Sequence, residues 1–255
     1  REKITSRTKA IIVTDLFGHP ADIDELMDIA EEHNLIVIED AAQSLGASYK
    51  GRKLGTIGKV GTFSFDFGKT LHTGEGGMIV TDDKDCYDRA AEFSDHGHMH
   101  IADIPRGKDP RRRAGLNYRM SELTASVGLA QLKKIDYILD KSRENKYKIK
   151  NAISDIQGIK CRKFNDEDGA QGDTLIFSLK SSDDAIGFEK ILNNNGIEAR
   201  PLWYPNHLQK KYTKCQTYKL YNVKKIYQRR LCLPSSSQLT KKQQDFICKK
   251  LKGIF

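Results

Sequence analysis

The sequence predicts an α/β protein of two domains, and three features carry that prediction. A strand–helix–strand unit opens the chain, an uninterrupted apolar run closes that unit, and the charge changes sign near the middle. Residues 1–140 hold 19 Lys+Arg against 23 Asp+Glu, a net of −4, whereas residues 141–255 hold 24 against 11, a net of +13. The expected division is a larger domain at 1–140 and a smaller α/β domain at 141–255.

Taken in order, Lys9 to Thr14 (KAIIVT) is a β-branched run that reads as a strand. Gly18, His19 and Pro20 turn the chain, and Ala21 to Asn34 carries Ile23, Leu26, Met27, Ile29 and Ala30 at helical spacing. Asn34 ends that helix. Leu35 to Ile38 (LIVI) has no polar alternation and predicts a parallel strand covered on both faces, joined to the first strand by a right-handed crossover. A Gly-rich stretch, Gly46 to Gly61, leads to strand candidates Val60 to Phe65 and Met78 to Thr81.

Met120 to Ile153 reads as one long helical region, apolar early at Leu123, Val127, Ala130 and Leu132 and strongly charged later. Beyond it lie strand candidates Thr174 to Leu179 and Ile197 to Ala199, with a helix at Ala185 to Asn193 stopped by Asn194, Asn195 and Gly196. A last amphipathic helix runs from Thr240 to Lys252, with Phe246, Ile247 and Leu251 directed at the core.

Composition excludes several classes. With 255 residues, 38% of them hydrophobic, and five cysteines, the chain is neither low-complexity, collagenous nor disulfide-dense. Cys86, Cys161, Cys215, Cys232 and Cys248 are widely spaced and form no CxxC pair, so a reducing cytoplasmic compartment is expected. No apolar run approaches the roughly 20 residues that span a bilayer. The excess of Lys and Arg is spread along the second half without a helix-turn-helix, zinc-finger or RRM signature, so neither nucleic acid nor membrane is the expected partner.

Asp40 follows the apolar run directly and should sit at the carboxyl end of a parallel strand, where open α/β sheets bind ligands. The same position suits a helix cap or a solvated turn. In Thr62 to Gly77 (TFSFDFGKTLHTGEGG), Lys69 stands between an aromatic-rich strand and a Gly-rich turn. A lysine held in such a half-buried setting loses solvation and becomes a candidate amine nucleophile. Gly68, Gly74, Gly76 and Gly77 allow sharp turns and close approach of a ligand, and the segment lacks the GxxxxGK[ST] spacing of a P-loop.

The run EDAAQSLGASYKGRKLGTIGKVGTFSFDFGKTLHTGEGGMIVTDD resembles the core signature of the DegT/StrS family of pyridoxal-phosphate-dependent sugar aminotransferases, and GLNYRMSELTASVGLAQLKKID resembles its second signature. Looser resemblance continues through IEARPLWYPNH and LCLPSSSQLT, so it covers essentially the whole chain. It implies an aspartate-aminotransferase-like fold, PLP fold type I, with a large mixed-sheet domain that binds the cofactor and a smaller C-terminal domain. It also implies pyridoxal 5′-phosphate as cofactor and transfer of an amino group, glutamate being the expected donor, to a keto-sugar that is expected to be nucleotide-linked, in amino-sugar synthesis for surface polysaccharides.

Residue by residue, Lys69 matches the lysine that holds the cofactor as a Schiff base and shuttles the proton. Asp40 matches the carboxylate on the pyridine nitrogen, Gln43 the side chain near the phenolic oxygen, Ala42 the small residue on the ring face, and Ser64 a hydroxyl on the phosphate. Asn117 matches an asparagine that reaches the phosphate across a homodimer interface, with Arg119 beside it as an anion contact. Arg200, Trp203 and His207, with Tyr204, match a segment near the sugar nucleotide, where an Arg beside aromatics suits diphosphate and base; packing of Trp203 between the two domains is the alternative. Relatives with His at the Lys69 position dehydrate; lysine favours transamination.

The resemblance further implies a segment ahead of Arg1 that carries a phosphate-binding Gly-Thr/Ser turn. Residues 1–255 are accordingly expected to be part of a longer enzyme, or to be completed by a second polypeptide, and to bind the cofactor weakly alone. A catalytically silent subunit is one alternative reading. Amination of an unlinked sugar acid is another, since the DHGH…PRG arrangement at Asp95 to Gly107 resembles relatives that aminate an eight-carbon sugar acid. His96, His98 and His100 would bind metal only if they formed a strand with alternate side chains on one face, and no metal is expected. Arg106, Lys108, Arg111, Arg112 and Arg113 suit either a substrate anion or a solvated loop.

Overall fold

A computed structural model describes residues 1–105, 107–157, 159–162, 175–178 and 184–254. Arg106, Thr174 and Leu179, named above, lie outside the described residues. The chain divides into two compact units, the first comprising Arg1–Ile138 and the second beginning at Leu139.

In the first unit, β1 (Ala10–Thr14), α1 (Ile23–Glu32) and β2 (Ile36–Asp40) form the expected strand–helix–strand unit, with β1 and β2 parallel and Thr14 opposite Asp40. α1 ends as its sequence requires. Asn34 takes the left-handed conformation at φ 51°, and Leu35 N–H closes the turn on Ala30 O at 2.7 Å. Leu26, Met27 and Ala30 of the helix pack on Val13 and Val37 of the strands.

A two-stranded hairpin, β3 (Ser48–Tyr49) with β4 (Arg52–Lys53), fills part of the Gly-rich stretch. β5 (Val60–Ser64) then pairs parallel with β2, and β6 (Gly77–Val80) pairs antiparallel with β5, giving a mixed sheet in the order β1-β2-β5-β6. β2 corrects one expectation. Val37 and Glu39 are buried, but Ile36 is 36% exposed, and Ile12 on β1, which pairs with Ile38, is 69% exposed. Among the described residues only the α1 side of these strands is covered, so LIVI is a one-sided strand whose second face carries apolar side chains into the open.

α2 (Lys84–Ser94), which the apolar periodicity did not disclose, starts at Asp83, whose carboxylate accepts the Cys86 N–H at 2.8 Å. The region expected to be one helix is two, α3 (Glu122–Leu132) and α4 (Ile135–Ile153). No Gly or Pro marks the break; Lys134 N–H reaches back to Gln131 O at 3.0 Å, and the ladder restarts one turn later with Ile138 on Lys134.

The second unit holds β7 (Lys160–Cys161), β8 (Leu175–Ser178), α5 (Asp184–Asn194), β9 (Arg200–Pro201), α6 (Tyr221–Gln228), β10 (Arg230–Leu233) and α7 (Lys241–Ile254), with an antiparallel sheet in the order β7-β8-β10-β9. Ile149, Ile153, Leu192, Leu231 and Leu251 are its most deeply buried core residues. Asn145 of α4 ties this core together. Its amide donates to Ser236 O at 2.7 Å and accepts from Gln244 of α7 at 2.6 Å. Two expectations fail here. Ile197 to Ala199 is irregular, with Ile197 N–H closing the α5 terminus on Leu192 O at 3.0 Å, and the strand begins only at Arg200. Phe246 is 43% exposed, leaving Ile247 and Leu251 to face the core.

Candidate active site

The carboxyl ends of β2 and β5 lie side by side, because Asp40, the last residue of β2, pairs with Thr62 of β5 and Ser64 closes β5 two residues later. Glycine makes this approach possible. A Cβ on Gly61 would fall 1.7 Å from the carbonyl oxygen of Gly55, so only glycine lets β5 lie against the loop that follows the hairpin.

That loop is built around Glu39, which is fully buried. Its carboxylate accepts the N–H groups of Gly55 at 2.7 Å and of Ile57 and Gly58 at 2.6 Å. Three backbone donors satisfy a buried charge that would otherwise be very costly. Glu39 is a shaping residue that the reading of Asp40 passed over; an acidic residue inside an apolar strand was its signal.

Asp40 itself is half-buried, and its Oδ1 accepts the Ala42 N–H at 3.2 Å, which fixes the carboxylate at the strand end. Gln43, also half-buried, turns its side-chain oxygen onto the backbone N–H of Phe17 at 3.0 Å. Ser64 Oγ accepts the Asp66 N–H at 3.3 Å, so its own hydrogen remains to donate.

Lys69 stands on the β5–β6 connection. Phe65 N–H donates to Gly76 O at 2.8 Å and Thr73 N–H to Phe65 O at 2.9 Å, closing the base of the loop. At its tip Asp66 builds an Asx turn, its Oδ2 accepting the Gly68 N–H at 3.0 Å while its carbonyl accepts the Lys69 N–H at 3.0 Å. The aromatic surroundings are unequal: Phe65 is buried, Phe67 is 76% exposed, and Lys69 is half-buried between these extremes. Asp66-Phe67-Gly68 was the sequence signal for that turn.

The remaining candidates sit elsewhere. Asn117 is exposed and forms an isolated bridge with Asp95. Arg119 pairs with the buried Asp95, which His100 also approaches at 3.3 Å, so its guanidinium is a holder of this loop. The histidines do not form a strand: His96, Gly97 and His100 all have positive φ, and a Cβ on Gly97 would lie 2.2 Å from Arg113 O. Buried His98 instead contacts Asp109 at 2.8 Å through Nδ1 and Arg111 at 3.2 Å through Nε2. The hydrogen bond from His98, with those from the Met99 and Gly107 N–H groups, holds the Asp109 carboxyl below the usual carboxylate range. Arg113 donates to buried Glu92 at 2.7 Å. Two of the basic residues are thus structural counter-ions, and among the described residues no group of three or more His, Cys, Asp or Glu could hold a metal ion.

In the second unit Arg200 pairs with Glu198, Trp203 is 65% exposed, Tyr204 meets Tyr227 edge-on at 5.6 Å, and His207 is half-buried.

A carboxylate, a primary amide, a hydroxyl and a lysine on one edge of one sheet form a donor set suited to pyridoxal phosphate: an anion for the ring nitrogen, an amide for the phenolic oxygen, a hydroxyl for the phosphate and an amine for the aldehyde. The sequence profile of the DegT/DnrJ/EryC1/StrS aminotransferase family matches residues 1–252. The chain belongs to that family. It is 35% identical to the GDP-perosamine synthase of Escherichia coli O157:H7, covering all of this chain and 68% of that protein. It is 31% identical to the GDP-4-keto-6-deoxy-D-mannose 3-dehydratase of Yersinia pseudotuberculosis, covering 83% of this chain and 57% of that protein. Among solved structures, the aminotransferase from Psychrobacter cryohalolentis superposes with a TM-score of 0.90 at 27% identity, over 99% of this chain and 70% of that one. The family's cofactor is pyridoxal 5′-phosphate, and this chain is a member of its sugar aminotransferases.

Proposed function

We propose that this protein transfers an amino group from an amino acid, glutamate, to a nucleotide-linked keto-sugar, with Lys69 as the catalytic amine. The observation that carries the reading is the placement of a lysine on the β5–β6 loop, beside the carboxyl edge that presents Asp40, Gln43 and Ser64. When bound, pyridoxal phosphate supplies an electron sink for the carbon that loses its proton.

Each side chain has a definite task. Asp40 would face the ring nitrogen and accept a hydrogen bond from it. Gln43 would donate its amide hydrogen toward the phenolic oxygen, Ala42 would leave room for the ring face, and Ser64 would donate to the phosphate. Lys69 would hold the cofactor's aldehyde and would take up and return the substrate proton. The product class is amino sugars, used in surface polysaccharides. The name of the E. coli relative, a GDP-perosamine synthase, supports a nucleotide-linked acceptor, and Arg200, Trp203 and His207 are the residues we assign to it.

The active unit in this reading is a homodimer, in which Asn117 serves the neighbouring subunit's phosphate site while Arg119, paired with Asp95, holds the loop beside it. Exposed Asn117 and the apolar, wholly unburied α3 that follows it support that assignment. Among the described residues no helix is long and apolar enough to cross a membrane, and five unpaired cysteines support a reducing cytoplasm.

Reduction with borohydride in the presence of excess pyridoxal phosphate is expected to leave a pyridoxyl mark on Lys69, found by peptide mapping. K69A should abolish both the mark and amino transfer; a mark on another lysine would overturn the assignment.

A further inference from the structure

Asp15 lies directly after β1, on the same sheet edge as Asp40, and is fully buried. Its backbone N–H donates to Asp40 O at 3.2 Å. Its Oδ1 accepts the Ala21 N–H at 3.2 Å, while Oδ2 is buried with no hydrogen-bond partner. Five residues, Leu16 to Pro20, separate Asp15 from Ala21, and the carboxylate therefore closes this loop across its base.

Within the loop Phe17 is buried and left-handed, at φ 60° and ψ 32°, a conformation that a bulky residue holds only when its surroundings impose it. That conformation presents the Phe17 N–H to the Gln43 side chain at 3.0 Å. A backbone N–H requires an acceptor, so the end of the Gln43 amide facing Phe17 must be its oxygen. The NH2 group is then left facing the other way. An untethered amide could present either end and would satisfy the phenolic oxygen of the cofactor in only one of them.

We infer that Asp15 is a positioning residue: by closing the Asp15–Ala21 loop it holds Phe17 in the conformation whose N–H fixes the Gln43 amide as a donor toward the cofactor. The target of Gln43 rests on the cofactor-site reading above; the loop mechanism is independent of it.

Amide hydrogen exchange on the cofactor-free full chain tests the mechanism. D15A is expected to speed exchange at both Phe17 and Ala21 by about tenfold or more, since a buried acceptor is lost. D15N keeps an oxygen for Ala21 and should restore both. Q43A should expose Phe17 alone, and Q43E, which keeps the acceptor but lacks the NH2 group, should protect Phe17 while weakening the binding of pyridoxal phosphate. For that binding the D15A/Q43A double variant should be no weaker than Q43A, because both changes act through one amide. Unchanged protection of Phe17 in D15A, failure of D15N to restore it, or additive losses in the double variant would each overturn the inference. Protection is read without cofactor, so failure of the borohydride mark on Lys69 leaves this result standing, and the reverse also holds.

Discussion

At the scale of single residues, the sheet edge holds three acidic side chains in sequence order, Asp15, Glu39 and Asp40, and each meets a different fate. Glu39 is satisfied by three backbone donors, and Asp40 is half-buried. Asp15 is the unfavourable one. Burial pushes its carboxyl up from 3.8 to about 6, Glu39 and Asp40 add to the rise, and the Ala21 N–H opposes it. For a carboxyl raised on folding, the folded state binds a proton that the unfolded state has released, so stability falls as pH rises from about 4 to about 6 and stays lowered above that. The cost at neutral pH is about 3 kcal/mol. D15N removes the charge and keeps the shape. Its stability relative to the parent should therefore improve by about 3 kcal/mol between pH 4 and pH 8 in chemical denaturation; a difference that does not vary with pH would show that Asp15 does not titrate in this range. A fixed cost of that size at a site edge is what a positioning role would explain.

At the scale of elements, two loops are organised by buried carboxylates. Truncating Glu39 strands three backbone N–H groups in the loop after β4, so E39A should lose about 3 kcal/mol or more, measured by denaturant unfolding. E39Q, with one oxygen left, should lose less. Glu92, Asp95 and Asp109 organise the loop between α2 and α3 by accepting Arg113, Arg119 and His98. The sequence showed this segment as a cluster of His and Arg, and three readings followed naturally: metal, substrate anion or solvated loop. What it could not show was that each acidic partner lies at the end of α2 or further along the same loop, brought into contact by left-handed turns at His96, Gly97 and His100. Element identity was legible where periodicity and stop signals agreed, as at α1 with Asn34 and at α5 with Gly196. It was lost at the Lys133-Lys134 break, where a tight turn needs no special residue, and at α2, whose mean polarity hides its register. Lys69 and Asp40 stand out in the sequence because the chemistry proposed for them depends on residue type beside a turn; Asp15, Phe17 and Glu39 do not, since their roles depend on which backbone groups the fold brings to them.

At the scale of the whole molecule, the striking of a balance between covered and uncovered apolar surface decides what the chain needs. α3 buries none of its eleven residues, and Leu123, Leu129 and Leu132 are 78%, 61% and 52% exposed. Large apolar side chains left this exposed mark an association surface, and the homodimer is the partner proposed for it. Replacing Leu123 and Leu129 together with arginine should raise the dimer dissociation constant by about 100-fold in sedimentation, with the circular dichroism unchanged; an unaffected dimer would place the interface elsewhere. The charge division near residue 140 also acquires a meaning. The acidic half carries Asp40 and Lys69, while the net +13 half carries Arg200 and the residues assigned to an anionic sugar nucleotide. By itself the sequence determined the α/β class, because hydrophobic period is a local property, and the family with its cofactor, because two ordered motifs resemble that family's signatures. Only the tertiary structure decided which carboxylates are satisfied and which keeps one oxygen without a hydrogen-bond partner, which arginines serve as internal counter-ions, and which amide end of Gln43 faces outward, because each depends on groups brought together from distant parts of the chain.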